Sequence, residues 1–326
     1  MIEVKNLKEE IQKARPNIKP NSVRQYEINL KKLQKLFDTD TYDFLKNPKE
    51  VIDKMDKEEI KYLTQRNMLN AVVVLLMALN SDSKYDKLLE EYGTIRDGLN
   101  ARYIKENETG DFVSEKQSKN FADASEVQGM LDKMQAELKV IKKKPFDDWT
   151  KKDKALLQVY TIFSIYSKMP MRNDVSNMIA INKSGYNKLT DDDKRENNYL
   201  VLGKDKLFFV LNKFKTSKTY GELKLPIDDK DLIKKLRYFV KMNGMGILFK
   251  TSTGKPITRI ELSKLLKKTS EKYMGKSVST TLLRKSYLTN KYGDVKKEME
   301  KDSKVLGHDV STTGMKVYVK ENAKKE

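Results

Sequence analysis

A polar stretch at residues 107–122 divides this sequence into two parts with different patterns of apolar residues. It reads Asn-Glu-Thr-Gly-Asp and then Ser-Glu-Lys-Gln-Ser-Lys-Asn, a composition typical of a linker. Before it, apolar residues recur at helical spacing through residues 1–106, and after it helical and strand-like segments mix over residues 123–326. A chain of 326 residues is long enough for two cores. We therefore predict a first helical domain, a linker and a second, mixed domain.

The first part predicts a small helical bundle. Ser22, followed three positions later by Gln25, resembles a capping box that opens the first helix. The apolar run at residues 71–79 is far shorter than the roughly 20 residues that span a bilayer, so we expect it at the centre of the bundle. The predicted helices cover residues 22–37, 57–79 and 83–104.

The second part predicts a mainly α fold with a small antiparallel β-sheet. Helices are expected to begin at Thr150 and Thr258, because each is followed three positions later by an acidic residue that can complete a capping box. Four short apolar runs predict the strands, with a turn between the third and the fourth. The strands are expected at residues 178–181, 199–202, 207–211 and up to 226, and the helices at 124–142, 150–169, 230–242, 258–273, 279–292, 295–305 and 311–319.

The charge of the chain implies an anionic partner. Lys and Arg number 66 against 47 Asp and Glu, which leaves a formal charge of +19. We expect no membrane association, since the N-terminus also lacks the apolar core of a signal peptide. The absence of cysteine and the single histidine exclude disulfides and make a zinc site implausible, so we expect an intracellular protein without a metal or other cofactor.

Five basic or aromatic residues of the second part carry the functional pattern. Arg172 ends an apolar helix, Lys215 lies in the predicted turn, and Arg284 closes a Thr-Leu-Leu-Arg sequence. His308 follows Leu-Gly, and Tyr318 comes ten residues later. This order resembles the catalytic signature of the tyrosine recombinases, the phage integrases and their relatives. Taken alone, Arg172 is more readily explained by an internal salt bridge with Asp174.

The chemistry of these residue types suits DNA strand exchange without metal or nucleotide. A tyrosine can attack phosphorus and keep the broken strand covalently attached, so that the energy of the phosphodiester is conserved. The planar guanidinium of arginine holds phosphate oxygens through bidentate, permanently charged hydrogen bonds. A proton must also reach the 5′-hydroxyl that leaves.

The resemblance assigns roles to the residues. Tyr318 would be the nucleophile, Arg172 and Arg284 would hold the scissile phosphate, Lys215 would protonate the leaving oxygen, and His308 would hydrogen-bond the phosphate. The sequence departs from the family at two positions. Thr281 stands where a histidine is usual, and Asp174, the acidic residue that would support Arg172, comes one position early. Lys218 is the reserve for Lys215, and Lys285 could compensate for Thr281.

The resemblance also implies partners. Double-stranded DNA would be held between a helical core-binding domain, residues 1–106, and the catalytic domain, residues 123–326. We expect Arg24 and Lys31 of the first domain, and Lys218 and Lys285 of the second, to contact DNA. Recombination would proceed through a Holliday junction held by a homotetramer, with a monomer in free solution. An integrase of a virus or mobile element would act wherever that element's DNA resides, in the cytoplasm or nucleus of the host.

Three alternatives remain open at this point. A type IB topoisomerase shares the Arg, Lys, Arg, His, Tyr set, but generally has Lys-x-x-Arg where recombinases have His-x-x-Arg, and Thr281 matches neither. A DNA-binding protein with a decayed active site would also explain Thr281. A basic protein that binds RNA or another anionic surface would explain only the charge.

Overall fold

The computed structural model describes residues 2, 4, 6–108 and 114–306, and the chain divides into two compact units, Met1–Val113 and Ser114–Glu326. This division falls inside the stretch that we predicted as a linker. Part of that stretch is helical, however, because the Ser114 side chain accepts a hydrogen bond from the Gln117 N–H and caps a short helix, Glu115–Lys119. His308, Tyr318 and the predicted helix at 311–319 lie outside the described residues.

The first unit contains helices α1 to α5. The start of α2 differs from the prediction, since the helix begins at Pro20 and its cap residue, Lys19, makes no side-chain capping bond. The capping box predicted at Ser22 was therefore wrong, and the physical reason is that proline suits the first helical position, where no N–H partner is needed. The segment predicted as one helix over 57–79 begins only at Tyr62. The helices are α1 Leu7–Ala14, α2 Pro20–Leu36, α3 Pro48–Lys57, α4 Tyr62–Leu79 and α5 Asp86–Glu108.

Helix α4 is the apolar centre of the first unit. It is long and apolar enough, by length and composition alone, to cross a membrane, which the nine-residue run considered in the sequence did not indicate. In the structure, half of the helix is buried, and Leu69, Val72 and Leu75 are fully buried in the core of the unit. Burial of these side chains against α2 and α5 stabilises the bundle by about 2 kcal/mol for each one.

The second unit places helices around a five-stranded sheet. Its helices include α6 Glu115–Lys119, α7 Ala124–Ile141 and α8 Lys151–Lys168. After the sheet begins, the helices are α9 Lys183–Lys188, α10 Asp191–Glu196, α11 Ser217–Tyr220, α12 Lys230–Asn243, α13 Arg259–Met274 and α14 Thr280–Leu306. The capping boxes predicted at Thr150 and Thr258 are both confirmed, with Asp153 and Glu261 as their acidic members. The strands are β1 Met178–Asn182, β2 Asn198–Leu202, β3 Leu207–Leu211, β4 Leu223–Ile227 and β5 Gly246–Ile247.

The sheet is mixed, so the prediction of an antiparallel sheet was only partly right. Its order is β4-β3-β2-β1-β5, and β1 pairs with β2 in parallel, whereas the other pairs are antiparallel. A parallel pair needs a crossover of about a dozen residues or more. The α9 and α10 helices, which the sequence pattern did not predict, provide this connection.

The two faces of the sheet are both covered. Met178, Leu200 and Phe209 point into the main core together with α8, α12 and α13. Tyr199, Val201 and Val210 point to the other face, where Tyr186 of α9 packs over them. The main core therefore fixes the position of the segment that enters β1 and of the segment that leaves β3, which carry the candidate site.

Helix α14 is one continuous helix where two had been predicted. Gly293 lies within it, and a glycine in a helix costs only about 1 kcal/mol and does not by itself end it. The first two turns are anchored by buried Leu282, Leu283 and Ser286, and they pack against α8.

Candidate active site

Arg172 follows the end of α8 in a turn that is tightly held. The residue before Pro170 is extended, as expected for a position before proline, so the helix stops at Lys168. The hydroxyl of buried Tyr166 donates a hydrogen bond to the Arg172 carbonyl oxygen at 2.9 Å. The Arg172 side chain is exposed. The backbone of Arg172 is thus fixed while its guanidinium is open to a ligand.

Asp174 is buried two positions after Arg172. Its Oδ1 accepts a hydrogen bond from Arg259 Nη2 at 2.8 Å, and among the described residues this is its ion pair. The internal salt bridge that could have explained Arg172 is therefore made by Arg259 instead. Burial raises the pKa of the Asp174 carboxyl, and the neighbouring Arg259, Arg172 and Arg284 oppose that rise. Three arginines consequently lie within electrostatic reach of one buried carboxylate.

Arg284 reaches this cluster from the first turns of α14. Its Nε is buried and has no hydrogen-bond partner in the part of the chain that the structure describes. Burial and Asp174 raise the pKa of the Tyr166 phenol, and the nearby Arg284 guanidinium opposes that rise. Arg172 and Arg284, far apart in sequence, are thus brought to one place. Thr281, one turn before Arg284, is exposed.

Lys215 lies beyond the end of β3, in a segment whose start is tied to the Arg172 turn. Buried Asn198, the first residue of β2, donates from Nδ2 to the carbonyl oxygens of Asp174 and Lys213, both at 3.0 Å. Its Oδ1 accepts from the N–H of Lys213 at 2.8 Å. Phe214 is buried, and Lys215 follows it with an exposed side chain.

The turn predicted at residues 215–220 contains a short helix, α11, and Lys218 is exposed on it. Lys285, the other predicted DNA contact of this unit, is half-buried and donates to Gln117 Oε1 at 3.0 Å. Lys218 is therefore the more accessible of the two predicted contacts.

The predicted DNA contacts of the first unit lie on one helix. Arg24 and Lys31 are exposed on α2, and Lys35 continues the same stripe one turn further on. The opposite face of α2 carries Val23, Leu30 and Leu33, which are buried. A spacing of seven and then four residues keeps the basic side chains on one side of the helix. We call Arg24, Lys31 and Lys35 the α2 basic stripe.

Arg259 is the member of the arginine cluster that sequence reasoning missed. It is the first residue of α13, immediately after the Thr258 cap. A positive side chain at this position opposes the helix dipole, which favours negative charge at a helix N-terminus. That conflict is a signal in the sequence for an anionic neighbour. The structure identifies that neighbour as Asp174.

The described residues contain no group of three or more His, Asp or Glu side chains placed to hold a metal ion. The polar chemistry of the cluster is that of guanidinium, carboxylate and amide groups.

Comparison with known proteins finds a likeness among solved structures but none among sequences. No protein-family model matches the chain, and no curated protein sequence matches it significantly. Among solved structures, the chain is similar to the crystal structure of XerA recombinase, at 10% sequence identity and a TM-score of 0.36. The match covers 97% of this chain and 94% of that chain. The functional roles proposed for this chain therefore depend on its own residues.

Proposed function

We propose that this protein is a DNA-cleaving and DNA-rejoining enzyme of the tyrosine recombinase kind. The observation that carries the proposal is that Arg172 and Arg284 both lie close enough to buried Asp174 to oppose the rise in its pKa. With Arg259, these side chains carry three positive charges and one negative charge, an excess that suits a phosphodiester. The unpartnered Nε of Arg284 is a donor that a phosphate oxygen would satisfy.

The proposed reaction uses this cluster as the phosphate clamp. The phenolic oxygen of Tyr318 attacks phosphorus and forms a 3′-phosphotyrosyl ester, and the phenolic proton passes to His308. The bond between phosphorus and the 5′-oxygen breaks, and Lys215 gives that oxygen a proton. Arg172 and Arg284 stabilise the negative charge that builds on the non-bridging oxygens. Asp174 supports the two arginines from behind, and Thr281 supplies a hydroxyl where imidazole is usual.

Binding of the duplex is assigned to exposed cations of both units. The α2 basic stripe and Lys218 would contact backbone phosphates, which hold a protein on DNA without reading its sequence. Four protomers would hold the Holliday junction during strand exchange. We infer that the source is a virus or other mobile element, and that the protein acts in the compartment of the host that contains the element's DNA.

The test is a suicide-substrate assay. The protein is incubated with a pool of nicked duplexes from which the cleaved fragment is released, and covalent protein–DNA adducts are separated on a denaturing gel. We expect an adduct in the wild type and in Tyr292→Phe, which changes an exposed tyrosine of α14. Tyr318→Phe should abolish the adduct and leave DNA affinity within about twofold, because the loss of one hydroxyl removes no phosphate contact of the basic side chains.

The outcomes separate the alternatives. An adduct that survives Tyr318→Phe moves the nucleophile to another residue. Tight DNA binding with no adduct on any substrate supports a decayed enzyme. If the wild type forms adducts and relaxes supercoiled DNA but leaves supplied Holliday junctions intact, the protein is a topoisomerase and not a recombinase.

A further inference from the structure

We propose that Arg259 is a positioning residue. It holds Lys213, at the start of the segment that leads to Lys215, beside the Arg172 turn, so that Lys215 reaches the leaving oxygen. This inference rests on the proposed function and adds to it a role for Arg259 beyond the charge that it contributes to the cluster. It is carried by the contacts that Arg259 makes with two separate segments.

The first contact is with the Arg172 turn. Arg259 Nη2 donates to Asp174 Oδ1 at 2.8 Å, and the Arg259 carbonyl oxygen accepts from Asn173 Nδ2 at 3.2 Å. Asn173 Nδ2 also donates to Ser263 Oγ, one turn further along α13. The start of α13 is therefore joined to this turn by both backbone and side chain.

The second contact is with the segment that leads to Lys215. The same Nη2 lies 3.4 Å from the carbonyl oxygen of Lys213, two residues before Lys215. One guanidinium nitrogen thus faces a carboxylate of one segment and a carbonyl oxygen of the other. Arginine suits this position because its planar fork keeps several donors in a fixed geometry.

Other contacts also hold both segments. The Arg172 turn is fixed by Tyr166 and by Asn173. Lys213 is held by Asn198, and its side chain pairs with exposed Glu196. Loss of Arg259 removes one contact from each segment, so we expect Lys215 to shift relative to the Arg172 turn. A displacement of about 1 Å is enough to reduce a reaction rate about a hundredfold.

A change of leaving group tests this role directly. In a duplex whose scissile 5′-oxygen is replaced by sulfur, the phosphorus–sulfur bond breaks and a thiolate leaves without needing a proton. Cleavage of this substrate does not depend on a general acid, so Lys215→Ala should cleave it at close to the wild-type rate. If Arg259 acts through Lys215, Arg259→Ala should behave in the same way.

We expect Arg259→Ala to form the adduct about a hundredfold more slowly than the wild type on the ordinary substrate, and to recover to within a few-fold on the sulfur substrate. The double variant with Lys215→Ala should be no slower than Lys215→Ala alone, since residues that act as a unit are not additive. Lys264→Ala, an exposed change on the same helix, should match the wild type on both substrates. If the alanine variant does not fold, Arg259→Lys is compared on the same two substrates.

Two results would overturn the inference: an Arg259 variant that is normal on the ordinary substrate, or one that is equally slow on both substrates. Failure of the proposed function looks different, because the wild type itself would then form no adduct, or Lys215→Ala would remain slow on the sulfur substrate.

Discussion

The two units carry their positive charge in different ways. In the first unit, Arg24 and Lys31 stand on the open face of a helix, and only the apolar side of that helix is anchored. In the second unit, three arginines act electrostatically on one buried carboxylate, and hydrogen bonds from Tyr166 and Asn198 fix the backbone of Arg172 and Asp174. Mobile charge suits non-specific attraction to a backbone, whereas charge held in place can stabilise a transition state. We therefore expect the cations of the first unit to bind DNA and those of the second to take part in the proposed chemistry.

The largest expected effect comes from the arginine cluster. Arg172→Ala and Arg284→Ala should each slow adduct formation by about 100- to 1,000-fold, because each removes a fixed donor to the charge that develops on the phosphate. The measurement is single-turnover cleavage of bound suicide substrate. Arg195→Ala serves as the control, since Arg195 is exposed and its ion pair with Asp192 is a surface pair. Near-normal cleavage by either cluster variant would remove that residue from the phosphate clamp.

An intermediate effect should appear in stability rather than in chemistry. Asn198→Ala removes the buried amide that bonds the N–H groups of Asn212 and Lys213 and two carbonyl oxygens, and should lower the free energy of unfolding by about 1–3 kcal/mol. In the first unit, Asn29→Ala removes an exposed hydrogen bond from the side-chain amide to the Asn67 carbonyl oxygen, and should change the free energy of unfolding by less than about 0.5 kcal/mol. Urea unfolding of each variant provides the values. Equal losses would mean that the second unit is not held more rigidly by its polar groups.

The smallest effect is expected from the α2 basic stripe. Lys31→Ala should weaken DNA binding modestly and reduce the slope of log K against log salt by about 0.9, the loss of one phosphate contact. Cleavage of DNA that is already bound should not change. Affinity measured at several salt concentrations gives the slope, and Lys57→Ala, an exposed change on α3, should leave it unaltered. A Lys31 variant that slows cleavage of bound DNA would break the distinction between the two kinds of charge.

Local sequence signals predicted those helix ends and strands that depend on residues a few positions apart in the chain. The helix starts at Thr150 and Thr258 follow from capping boxes within four residues, and β3 was predicted at its observed bounds from one apolar run. The prediction failed at Ser22, where a proline two residues earlier starts the helix instead. It failed again at Gly293, because one glycine costs a helix only about 1 kcal/mol and does not by itself end it.

The candidate site was predicted in its residue types but not in its arrangement. Arg172 and Arg284 were chosen by their order in the chain, and nothing local indicated that both would lie within electrostatic reach of Asp174. Arg259 was missed because its partner is 85 positions away and its only sequence signal is a charge that conflicts with the helix dipole.

The sequence alone thus determined the helical character of the first unit, the positions of most strands, and the net positive charge, because each depends on composition or on residues a few positions apart. The tertiary structure decided the parallel pairing of β1 with β2, the placing of three arginines around Asp174, and the tie between Lys213 and the Arg172 turn. These features depend on which distant segments share a core and a buried polar group, and burial makes each unpaired group costly enough to select one arrangement.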